Sequence, residues 1–160
     1  MTPMYFEDFE VGATFSTAAR TITEADVVLF AGLSGDFNPL HVDHESSRAG
    51  PFGAPIAHGL LVLSIASGLG VQTGIFTGTN LAFLGIEDLR FVGAVKFGDT
   101  IRMESTVIET RRTSKPDRGI VKIAQEIKNQ DHEVVQTAVF VSLMAARTLG
   151  DTKGASDARS

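Results

Sequence analysis

The chain has 160 residues, a formal net charge of −5, and neither cysteine nor tryptophan. That length suits one domain that buries its own core without staples. The missing cysteines exclude disulfides, thiolate metal sites and a cysteine nucleophile. The acidic balance argues against nucleic-acid binding, which needs a basic stripe. Eleven Phe with a single Tyr suit a core better than a base-stacking platform. The longest apolar run, Gly59 to Val71, is shorter than the ~20 residues of a membrane span, and the N-terminus lacks the basic start of a secretory signal. A soluble, cytoplasmic protein with no nucleic-acid or membrane partner is expected.

In chain order, residues 13–22 read as a first strand. Thr23 offers an N-cap hydroxyl, with Asp26 placed to reach back to the free amide. A short helix follows with the apolar stripe Val27, Phe30 and Ala31, ending near Gly32. Ser34-Gly-Asp-Phe-Asn-Pro39 is dense in turn formers, residues 43–49 allow one or two helical turns, and Pro51-Phe-Gly-Ala-Pro55 is again irregular. From His58 to Leu69 the chain is apolar nearly all round, broken by Ser64 and Ser67 and closed by Gly68 and Gly70. A helix without a polar face must be surrounded by protein.

Beyond Gly74 the period changes to two. Strands are expected over residues 81–91 and 100–110. Val121, Ile123 and Ile127 alternate with Lys122, Glu126 and Lys128. Val135, Val139, Val141 and Leu143 alternate with Gln136, Ala138 and Ser142. Residues 129–132 form a hairpin connection and residues 111–119 a longer one. An antiparallel sheet curled around one central buried helix satisfies both patterns, which makes the fold class α+β and the arrangement the hot-dog fold. Residues 1–147 form this single domain. Residues 148–160, small and polar, are expected to be a disordered tail.

The stretch Phe30-Ala-Gly-Leu-Ser-Gly-Asp36-Phe-Asn-Pro-Leu-His41-Val-Asp-His-Glu-Ser-Ser47 carries the candidate chemistry. Asp36 and His41 stand five residues apart in a bend held by Gly35 and Pro39, so both side chains can enter one pocket. Adding water across a conjugated double bond needs a base to activate water and an acid to protonate the α-carbon. It also needs a donor for the charge that develops on the thioester oxygen. The N–H of Gly59, where His58-Gly59 opens the buried helix, supplies one with the favourable end of the helix dipole.

These residues resemble the MaoC-like dehydratase pattern: an aromatic, Ser-Gly-Asp, any residue, Asn-Pro, an aliphatic residue, His. Phe52-Gly-Ala-Pro-Ile-Ala-His-Gly-Leu-Leu, followed by Ser64 and Ser67-Gly68, extends the match, and residues 5–146 together resemble the (R)-specific enoyl-CoA hydratases. The resemblance implies a hot-dog fold, a homodimer or dimer-based oligomer, and an acyl-coenzyme A thioester substrate. It implies catalytic roles for Asp36 and His41 and an oxyanion hydrogen bond from Gly59. Ser67 would sit beside the pair and orient it, with His58 and Asn38 further substrate-binding or orienting candidates. No cofactor is implied, because coenzyme A is part of the substrate. The Gly/Thr-rich stretch from Val71 to Asn80 has no counterpart in the pattern.

Plainer readings compete at each position. Asp36 is a common turn residue and His41 a candidate structural histidine. Asn38 reads first as a turn cap. His41, Asp43 and His44 match no strong zinc spacing, so no metal is expected. Ser34 lacks the strand-to-helix elbow of a serine nucleophile, and Gly68-Leu-Gly70 closes a helix where a dinucleotide fingerprint opens one. The basic residues of 111–118 and Arg90 are candidates for coenzyme A phosphates or simply solvated. A hot-dog thioesterase and a non-catalytic acyl-CoA-binding subunit remain the alternatives to a hydratase or dehydratase.

Overall fold

A computed structural model describes residues 2–147; the tail expected over 148–160 lies outside them. After a 3₁₀ turn at Phe6–Asp8 come two short strands, β1 (Thr14–Ser16) and β2 (Arg20–Thr21). Four helices follow: α1 (Glu24–Ser34), α2 (Pro39–Val42), α3 (His44–Arg48) and α4 (Gly59–Gln72). Four long strands end the chain: β3 (Asn80–Phe91), β4 (Thr100–Arg112), β5 (Arg118–Lys128) and β6 (Val134–Ala145). All pairings are antiparallel, in the order β1-β4-β5-β6-β3, with β2 also on β4. The open sheet curls around α4 in the hot-dog arrangement that the apolar helix implied.

The core forms where α4 meets the inner face of the sheet. Leu61, Val62, Leu63, Ile65, Ala66 and Leu69 pack with Ile22, Val27, Ile101, Met103, Ile127 and Phe140. A second cluster beneath the first turn joins Phe6 and Phe9 to Val107, Val121, Ile123 and Met144. Arg147 reaches back to Asp8 with two hydrogen bonds of 2.7 and 2.8 Å, which hold that carboxyl below the usual aspartate range.

Several local expectations shift. The strand over 13–22 is broken at Thr17, whose Oγ1 accepts from the Met103 amide and so takes a ladder position that a backbone carbonyl would fill. Helix α1 opens with the expected capping box of Thr23 and Asp26 but runs two residues past Gly32. It stops at Gly35, whose φ of 79° is open to glycine at little cost and whose N–H bonds the Ala31 carbonyl. Helix α4 likewise contains Gly68 and Gly70 and continues to Gln72.

Nor is α4 surrounded within one chain. Leu60 and Val71 are 56% and 59% exposed, and Ser64 and Ser67 lie on the same open side. In β6 the inward set is Gln136, Ala138, Phe140, Ser142 and Met144, whereas Val139 and Leu143 are only partly buried on the other face. Valine alternation alone does not tell the faces of β6 apart, because a strand in the middle of a sheet carries apolar residues on both.

Because Gly35 aims the segment that follows it, a Cβ there tests how firmly the turn is set. Gly35→Ala is expected to lower stability by about 1 kcal/mol, the strain of a left-handed L-residue, read from the urea midpoint at unchanged m-value.

Candidate functional site

The turn after α1 is built from its own side chains. Ser34 Oγ accepts from the Asp36 amide at 3.2 Å, and Asp36 Oδ1 accepts from the Asn38 amide at 3.2 Å. Asn38 Oδ1 accepts from Leu40 N at 3.1 Å, which makes Asn38 the N-cap of α2 with Pro39 behind it. Asn38 therefore has the capping job expected of it. Asp36 divides its carboxylate: Oδ1 closes the turn, and Oδ2 stands toward two imidazoles, 4.0 Å from His41 Nε2 and 3.9 Å from His58 Nε2.

Hydrogen-bond partners fix both imidazole tautomers. His41 Nδ1 lies 2.7 Å from the Ile56 carbonyl oxygen, which only accepts, so Nδ1 carries a proton and Nε2 is the nitrogen turned toward Asp36. Ile56 is itself pinned, its amide bonding Leu40 O and the next amide, of Ala57, bonding Val95 O. His58 Nε2 lies 2.9 Å from the Asp36 backbone oxygen and must donate to it. Its ring stacks on His41 at 3.7 Å between centroids and leans on Phe30 at 5.0 Å. At 4.0 Å the Asp36–His41 separation is too long for a direct hydrogen bond and suits one bridging water.

His58 is also the N-cap residue of α4, yet its side chain makes no capping bond. The ring has turned to Asp36 instead. The Gly59 N–H, which no helix can satisfy internally, is left at the positive end of a 14-residue helix. A Cβ on Gly59 would stand 2.6 Å from the Phe91 ring, so no larger residue fits there without displacing it. Asp36, His41, His58 and Gly59 line one cavity of about 380 Å³, walled by Phe30, Ile56, Val62, Phe91, Val95 and Gln136.

The remaining candidates lie elsewhere. Ser67 is eight residues along α4 from Gly59, about 12 Å, in a separate groove with Ser64, Phe83 and Phe140. Within one chain it does not orient the Asp36–His41 pair. The basic hairpin projects from the far end of the sheet: Arg118 pairs with Ala145, nine residues along β6 from Gln136, about 30 Å away. Arg112 is engaged by Glu7 and Arg118 by Asp117, and Arg90 shares a shallow groove with Asp88 and Glu126.

His44 turns to Glu24 at 2.9 Å, away from His41. Among the described residues, Asp36, His41 and His58 bring ligating atoms within 4.8 Å of one another. Sequence reasoning missed Phe91 and Gln136. Phe91 carries no polar signal, and Gln136 was read only as one of the residues alternating with the valines of its strand.

The fold and this cavity define a hot-dog protein with a carboxylate and two histidines gathered at the start of its central helix. A conserved hypothetical protein of Mycobacterium tuberculosis with a double hot-dog fold superposes with a TM-score of 0.79 at 22% identity, over 91% of this chain and 45% of that one. The monoamine oxidase regulatory protein of Archaeoglobus fulgius superposes with a TM-score of 0.86 at 39% identity, over 92% and 98%.

The family model of the MaoC like domain matches residues 8–129, and the chain belongs to that family. Protein MaoC of Klebsiella aerogenes is 41% identical over 115 residues, 72% of this chain but 33% of that relative. The (R)-specific enoyl-CoA hydratase of Rhodospirillum rubrum is 38% identical over 64% of this chain and 69% of its own length. The 3-hydroxybutyryl-CoA dehydratase of Methylorubrum extorquens is 36% identical over 88% and 84%.

The contact between Gly59 and Phe91 is open to a double-mutant cycle. Gly59→Ala is expected to cost about 1 kcal/mol, the low end for overpacking because the ring is half exposed. The same substitution in a Phe91→Ala background is expected to cost close to nothing, measured by urea denaturation.

Proposed function

We propose that this chain is a hydratase/dehydratase that interconverts enoyl-CoA and (R)-3-hydroxyacyl-CoA thioesters. The observation that carries the reading is the 4.0 Å gap between Asp36 Oδ2 and His41 Nε2 beside the Gly59 N–H at the start of α4, all in one cavity. A water bridging the gap meets a carboxylate on one side and an imidazole nitrogen on the other. Its oxygen bonds to the β-carbon while one of the pair takes its proton and passes it to the α-carbon. Both groups approach from one face, so the addition is syn. Gly59 N–H receives the charge on the thioester oxygen.

The (R) configuration rests on the names of the relatives described above, and the reaction needs no resident cofactor. Wild-type protein mixed with crotonyl-CoA is expected to bleach the enoyl absorbance without releasing thiol. Thiol release would make it a thioesterase, and neither change a binding subunit. Asp36→Asn keeps the Oδ1 cap, so it and His41→Gln are expected to fold normally and lose on the order of 10²–10⁴ in kcat. Retention of more than half of wild-type kcat by either variant overturns the assignment.

We further infer a homodimer joined along β3. This strand is a sheet edge that exposes Leu81, Phe83, Leu84, Ile86 and Phe91 beside the open side of α4 at Leu60 and Val71. Edge strands of this kind are normally paired or covered. Pairing β3 with its symmetry copy would merge the sheets and enclose both helices. Light scattering at micromolar concentration is expected to give twice the 17.0 kDa chain mass; the single mass would refute the dimer.

A further inference from the structure

Gln136 is 2% exposed and faces inward from β6, in the same row as Ala138 and Phe140. Its Nε2 donates to the Gly59 carbonyl oxygen at 2.9 Å. That oxygen only accepts, which fixes the amide orientation and leaves Oε1 as an acceptor. Oε1 is buried without a hydrogen-bond partner among the described residues. A buried acceptor left unpaired lowers stability, whereas an apolar side chain of similar shape carries no such cost. A residue serving the core alone would be leucine or methionine.

The position of Gln136 explains what the amide does instead. Across the ladder it pairs directly with Phe91, the residue whose ring closes on Gly59. Two cross-strand neighbours thus hold the first residue of α4, Phe91 against its Cα and Gln136 on its carbonyl. Glycine has more backbone freedom than any other residue. The His58 carbonyl, which accepts from Val62 N, holds one side of the peptide plane that carries the Gly59 N–H, and holding the Gly59 Cα and carbonyl removes the freedom left on the other side.

We propose that Gln136 is a positioning residue that, together with Phe91, aims the Gly59 N–H into the cavity at a cost in stability. The proposal rests on the reading of Gly59 as the donor to the thioester oxygen. It places the control of that donor on the sheet, outside the motif that carries Asp36 and His41.

The test is Gln136→Met and Gln136→Leu, with thermal stability, crotonyl-CoA kinetics and ¹⁵N relaxation of the Gly59 amide measured on wild type and both variants. Melting temperatures are expected to equal or exceed that of wild type. kcat is expected to fall on the order of 10²-fold, the usual effect of a misplaced reacting group, with KM little changed, and the Gly59 amide to lose order. Loss of stability in step with rate in both variants would mark Gln136 as structural and overturn the proposal. So would an unchanged kcat with an unchanged Gly59 amide. If wild type hydrates no enoyl-CoA, the functional reading fails by itself, and the order of the Gly59 amide still decides whether Gln136 holds it.

Discussion

Most of this molecule follows from one helix whose first residue is left without a cap. Helix α4 has to be buried because it is apolar, and the sheet curls to bury it. Burial brings its N-terminus to the bottom of a cavity, where free amides would ordinarily demand a side-chain partner. The residue placed to provide one, His58, spends its ring on the Asp36 carbonyl instead. The same hydrogen bond therefore leaves the helix end open and ties the Asp36 turn to it. Remove that link and the carboxylate and the helix start lose their common frame.

Polar groups around the cavity are economical in a specific way: each does a structural task with one atom and leaves another atom free. Asp36 caps its own turn with Oδ1 and faces the histidines with Oδ2. His41 anchors through Nδ1 to a backbone carbonyl and presents Nε2. Gln136 anchors through Nε2 and keeps Oε1. Anchoring fixes tautomer and orientation before any ligand arrives, which is the form of preorganisation that lowers a barrier instead of merely improving binding. The turn role of Asp36 takes up one oxygen and leaves the other for the chemistry proposed above.

Surface hydrophobics divide into those the fold accounts for and those it leaves uncovered. The edge of β3 and the open side of α4 are both exposed, and the dimer proposed above would cover them together. Val28, Leu29, Leu33 and Phe37, on and just beyond α1, form another exposed set.

What the sequence determined by itself was local or periodic. Thr23 and Asp26 announce a capping box, the apolar run after His58 announces a buried helix, and the Asp36-to-His41 spacing announces a bend with two titratable groups. Each depends on residues near one another in the chain, where propensity and hydrogen-bond reach decide the outcome. Only the tertiary structure decided that His58 turns away from its own helix, that Ser67 lies some turns from the pair it was expected to orient, and that β6 buries its glutamine while Val139 and Leu143 stay partly exposed. Those outcomes depend on which strand lies across from which, and no spacing within the chain encodes a partner dozens of residues away. Gln136 and Gly59 are 77 positions apart, and the hydrogen bond that joins them exists only once β6 has packed against the start of α4.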